Sequence, residues 1–161
     1  MMNKFNLFFL TLFSVGRIKY APGTIASLIT CLTFLLLLNV FSIITLFFCT
    51  LIIFCYSFIA INNSFKSFNS TDPQEIVIDE VVGQMLPLLA IPIYETLHLI
   101  SKEYYCIGAF VLFRFFDIWK PFPINYVDNN IDGPLGIMLD DILAGFYSIF
   151  ILTILFFFLG A

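Results

Sequence analysis

No charged residue interrupts the chain from Ile25 to Ile61. One helix of that length would extend about 55 Å, nearly twice the hydrocarbon core of a bilayer, so the run has to turn. Asn39 to Ser42 is the polar-leaning place for the turn. This predicts a short first span, Ile25 to Leu38, and a full second one, Ile43 to Ile61; the first is short enough to be re-entrant. Ahead of them Lys4 and the apolar Phe5 to Phe13 imitate a secretory leader, but are read as a short interfacial helix leading into the domain.

A polar connection, Asn62 to Thr71, separates this pair from the next element. Asp72-Pro73-Gln74-Glu75 predicts a helix start, with Asp72 as N-cap, Pro73 at N1 and Glu75 at N3. That helix should run through Asp79 and Glu80 to Ile93, kinked at Pro87. Tyr94 to Tyr104 reads as a loop, Tyr105 to Phe116 as a span, Lys120 to Gly136 as a polar segment, and Ile142 to Leu159 as a final span. The fold class expected is all-α: a polytopic integral membrane helical bundle of four to five membrane-embedded helices plus an N-terminal interfacial helix. It forms a single domain over residues 1–161.

Composition strengthens the membrane reading. Of 161 residues, 61% are hydrophobic and 11% charged, against about 25% charged in an ordinary soluble domain. The 22 phenylalanines read as lipid-facing surface. Cys31, Cys49, Cys55 and Cys106 all lie in apolar runs, form no CxxC pair, and read as small hydrophobes. A net charge of −4 argues against a nucleic-acid partner. With spans of alternating direction, lysine and arginine divide six to one between the two faces and acids nine to two, in the same sense. The positive-inside rule makes the richer face cytoplasmic.

Five acids on that face carry the chemistry. A carboxylate close to hydrocarbon is costly and is a functional suspect by default. Asp79 and Glu80 sit in Ile78-Asp79-Glu80-Val81-Val82-Gly83-Gln84, about 100° apart on a helix, so one is expected to ligate and the other to orient a partner. Arg114, Asp117 and Lys120 recur every three residues, putting a guanidinium fork and an ammonium beside a carboxylate, as phosphate oxygens require. Asp140 and Asp141 follow Gly133-Pro134-Leu135-Gly136, where glycine permits close approach to an anion. Thr24, in Ala21-Pro22-Gly23-Thr24, is placed either to cap a helix or to bond phosphate. Asp128-x-Asn130-x-Asp132-Gly133 imitates a calcium loop, but its twelfth position is Leu139 and not glutamate. So many acids would repel a phosphate unless a divalent cation stood between them. Oxygen ligands without histidine or cysteine select magnesium, or manganese, over zinc.

These motifs resemble the phosphatidylglycerophosphatase A family of bacterial membrane lipid phosphatases. The resemblance rests on Ala21 to Thr24, Ile78 to Gln84, Arg114 to Ile124 and Gly136 to Gly145, in the family's order and at similar spacing. It implies Mg2+-dependent hydrolysis of phosphatidylglycerophosphate, a lipid of the bilayer, to phosphatidylglycerol and phosphate. The place would be the cytoplasmic face of the bacterial inner membrane. The roles expected are Asp79, Asp140 and Asp117 as metal ligands, and Arg114, Lys120, Thr24 and Gly136 as substrate contacts. Glu80 or Asp141, with Asp117, would serve catalysis as nucleophile or by positioning water. His98, the only histidine, falls on the opposite face, which argues against a phosphohistidine route. The competing class is a small transporter or channel using its acids for protons or cations. It predicts acids spread through the depth of the spans, whereas here they gather at one face.

Overall fold

The computed structural model describes residues 4–64, 75–97 and 99–159, and these are helical with no strand. The helices are α1 (Lys4–Leu10), α2 (Pro22–Leu38), α3 (Ile43–Ser64), α4 (Ile78–Leu88), α5 (Ile91–Thr96), α6 (Lys102–Trp119), α7 (Ile124–Asn130) and α8 (Pro134–Leu159), with a 3-10 turn at Val15–Arg17. The all-α expectation holds. So does the turn between Leu38 and Ile43, where the Ser42 hydroxyl accepts from the Thr45 amide at 3.3 Å.

Among the described residues, only α3 and α8 are both long and apolar enough to cross a bilayer, at 22 residues for α3 and 23 for the qualifying part of α8. In their most apolar windows 22% and 33% of residues are buried within the protein, so neither is the enclosed core helix of a soluble fold. Of the four to five membrane-embedded helices expected, these two have the length and composition of spans. α2, at 17 residues, is about 25 Å long, short of a 30 Å core. α6 carries Lys102, Glu103, Arg114 and Asp117. The helix expected to run to Ile93 stops at Leu88, and α5 begins at Ile91.

Four other boundaries move. The N-cap at Asp72 and Pro73 lies outside the described residues, as does His98, but Glu75 is in a turn and α4 begins at Ile78. The Val77 amide donates to the Leu10 carbonyl at 3.0 Å, anchoring this entry to α1 before the helix starts. The loop placed at Tyr94 to Tyr104 shrinks, because α5 reaches Thr96 and α6 begins at Lys102. The polar stretch from Lys120 to Gly136 contains α7, and α8 starts at Pro134, eight residues before the expected span. α1 forms at the expected place and packs on α3 through the Tyr56 hydroxyl, which donates to Asn6 Oδ1 at 2.9 Å.

α4 and α8 form the tightest pair of the bundle, with α2 packed on α4 and α6 on α8. Pro87 has no N–H, so the Gly83 carbonyl one turn earlier lacks its helical partner. That carbonyl faces Gly145 of α8: a Cβ built there would lie 2.6 Å from the oxygen. A Cβ on Gly83 would in turn meet the Asp141 carbonyl at 2.7 Å. Two glycines thus let α4 and α8 touch backbone to backbone directly below both acid pairs. At the other end of the bundle Tyr94, Tyr105 and Phe156 stack, with ring centroids 4.7 to 5.8 Å apart, and the hydroxyls of Tyr94 and Thr153 are 2.6 Å apart. Lys102 donates to Asn39 Oδ1 at 2.7 Å, tying the start of α6 to the α2–α3 turn at this same end.

Candidate active site

Where α2, α4 and α8 begin and α6 ends, they enclose a cleft of about 490 Å³. Asp79, Glu80, Asp117, Asp140, Asp141, Arg114, Lys120, Thr24 and Gly136 all line it, so the four motifs converge although more than a hundred residues separate the first from the last. Seven acids and three bases face this space.

The acid pairs are built alike. Asp79 Oδ1 accepts from the Glu80 amide at 3.1 Å, and Asp140 Oδ1 from the Asp141 amide at 3.0 Å. Each first acid is held by the backbone, which leaves its other oxygen and the second acid to face the cleft. Asp79, Asp140 and Asp141 are buried, and Glu80 is half-buried. Glu80 reaches the start of α2, its Oε1 lying where a Cβ on Gly23 would be, so a side chain there would displace the carboxylate. Gly136 lies against the Ile131 carbonyl with no room for a side chain.

The cations divide the acids. Arg114 Nη1 lies 2.8 Å from Asp117 Oδ2, but neither Nη1 nor Nε has an acceptor in hydrogen-bonding geometry. Lys120 donates to Asp140 Oδ2 at 2.8 Å and to Asp128 Oδ1 at 2.5 Å. Burial alone would lower the Lys120 pKa; its bonds to Asp128 and Asp140, and their charges, outweigh this and raise it above the ordinary lysine value. The helical stack of Arg114, Asp117 and Lys120 does not form in full, because α6 ends at Trp119 and Lys120 turns out of it with φ 44°. Pro121 is the local reason: a residue before proline is disfavoured in the right-handed helical region.

The acids group differently from the expected ligand set. One oxygen each from Asp79, Glu80 and Asp141 lies within 4.8 Å of the others, whereas Asp140 and Asp117 face Lys120 and Arg114. Glu80 Oε2 and Asp141 Oδ1 are buried with no protein partner. Three carboxylates at this spacing, two with orphaned oxygens, suit a hard divalent cation.

Thr24 lines the cleft in the first turn of α2, while Ser27 is used within the helix, donating to the Gly23 carbonyl at 2.9 Å. Lys19, Asp128 and Asp132 also line the cleft and were not among the expected site residues. Asp128 and Asn130 are helical in α7, so they form no calcium loop, and Asp128 serves Lys120 instead. No local pattern marks that role, since the two residues meet only after α7 folds back.

The profile of the family described as Phosphatidylglycerophosphatase A matches residues 8–156. A protein of Bacteroides thetaiotaomicron named putative phosphatidylinositol-3-phosphatase is 34% identical over 88% of this chain and 87% of its own. The phosphatidylglycerophosphatase A of Haemophilus influenzae is 35% identical over 86% of this chain and 81% of its own. That of Escherichia coli is 39% identical over 52% of this chain and 44% of its own. No solved structure matches.

Proposed function

The chain belongs to the phosphatidylglycerophosphatase A family, and from that premise we propose that it hydrolyses phosphatidylglycerophosphate to phosphatidylglycerol and inorganic phosphate. The observation that carries the reading is the cleft itself, where orphaned acid oxygens adjoin two cations suited to a phosphomonoester. Water adds to phosphorus, the P–O bond to glycerol breaks, and the alcohol leaves with a proton. The unpaired N–H groups of Arg114 and the ammonium of Lys120 bind the non-bridging oxygens. The first turns of α2 and α8, with Thr24 and Gly136, add backbone donors and the positive ends of their dipoles.

Asp79, Glu80 and Asp141 would hold a magnesium ion, or manganese. When bound it would polarise the phosphoryl group and make a bound water more acidic. Asp140 and Asp117 act through the cations they orient, and the second oxygen of Asp141 accepts the proton of the attacking water. The cleft faces the cytoplasm in a multi-pass protein of the inner membrane, with α3 and α8 as crossings and α2, α4 and α6 embedded beside them. The exposed apolar residues of α2, α3, α6 and α8 support that placement, with α4 enclosed among the other helices.

Phosphate release from the defined lipid by purified protein tests the reading. Turnover should cease on chelation and return with magnesium. Asp141→Asn and Asp79→Asn should each lower kcat by about 10²-fold or more, the scale of a lost acid–base group. Release that is indifferent to chelation would remove the metal. No release at all, with cation flux into vesicles instead, would favour the transport reading.

A further inference from the structure

Two of the three cations in the cleft are committed: Arg114 faces Asp117, and Lys120 joins Asp128 and Asp140. Lys19 pairs with no carboxylate among the described residues; its ammonium lies 5.5 Å from the centre of the Tyr20 ring. It belongs to the segment that enters α2, beside exposed Ile18 and Tyr20. Four residues on, Gly23 abuts Glu80 and Arg114, so the first turn of α2 separates Lys19 from the reactive end of the cleft.

A headgroup that presents a phosphomonoester on a polyol carries a second phosphate, the diester joining that polyol to diacylglycerol. With the monoester at Arg114 and Lys120, the diester lies one polyol away, on the side from which the lipid enters. Its single negative charge needs a cation in a cleft otherwise crowded with acids. We infer that Lys19 binds this bridging phosphodiester and so anchors the headgroup. The inference rests on the phosphatase reading above and makes Lys19 a specificity-determining residue rather than part of the hydrolytic machinery. Tyr20, 74% exposed beside it, offers an amphipathic ring to the lipid interface.

The test compares wild type, Lys19→Ala and Lys19→Arg in detergent micelles. Loss of one charge-assisted contact should raise KM for phosphatidylglycerophosphate about tenfold with kcat little changed, and arginine should restore most of the loss. The inhibition constant of phosphatidylglycerol, which has the diester but no monoester, should rise in parallel. That of orthophosphate should not move. An unchanged KM in Lys19→Ala, or an equal rise for orthophosphate, overturns the inference while leaving the phosphatase reading intact. A wild-type protein that releases no phosphate overturns both.

Discussion

Ala21 and Lys120 share a backbone state that side chains rarely adopt: each has φ 44°, each precedes a proline, and each lines the cleft. Left-handed backbone outside glycine costs about 1–2 kcal/mol, and such strain collects at functional sites. At Lys120 it has a visible result, because leaving the helix lets the ammonium reach Asp128 and Asp140 together. Its raised pKa fixes the sign of a pH effect. The lysine's share of these ion pairs is fully present below the unfolded lysine value, roughly 10.4, and is lost as pH rises through the higher folded value. Any fall in turnover between about pH 8 and 10 should therefore come from another group. The alkaline limbs of wild type and of Lys120→Arg, whose charge does not titrate in this range, should superimpose when each is scaled to its own maximum; a limb displaced upward in the variant would show lysine titration. Seven of the nine residues that meet in the cleft stood out in the sequence because acids and bases at the edges of apolar runs are conspicuous, while Thr24 and Gly136 drew notice only through the motifs around them. Their pairing was not, since Asp140 and Asp141 differ only by the 100° that separates neighbours on a helix.

For the elements, the contact of Gly83 with Gly145 decides the spacing of the site. A methyl group on Gly83 would press on the Asp141 carbonyl and the Phe113 ring, both at 2.7 Å, and a packed backbone cannot step aside. Gly83→Ala should cost about 1–3 kcal/mol despite its better helix propensity, read as a lower Tm in detergent, with turnover falling too. Gly108→Ala is the comparison: its methyl would meet only Leu152 Cδ2, at 3.2 Å, the tip of a flexible side chain. Its Tm should stay within a degree or two of wild type; an equal loss in both variants would show that helix packing in general, not this contact, is at stake. Charge-free length made the ends of α2 and α3 readable within a few residues. The break after Leu88 was harder, because Pro87 reads as a kink until the neighbour of its orphaned carbonyl is known. α7 was missed because seven residues without an apolar stripe give periodicity little to detect.

Across the whole molecule, the acids and cations of the cleft stand at one end of the bundle, while the α2–α3 turn and the start of α6 meet at the other. Alternating spans would produce such an arrangement, and among the described residues α3 and α8 have full crossing length. A single cysteine at Val40, exposed in the far turn, should react with an impermeant maleimide from outside intact spheroplasts. One at exposed Asn129, beside the cleft, should react only after lysis. Labelling of both from one side would refute the topology. Because Gly83 and Gly145 let α4 and α8 meet through backbone atoms, the spacing of the two helices below the acids is set by a contact that no rotamer change can alter. Melting or stiffening of the surrounding acyl chains can then alter how fast substrate arrives, but not how far apart the reacting groups stand.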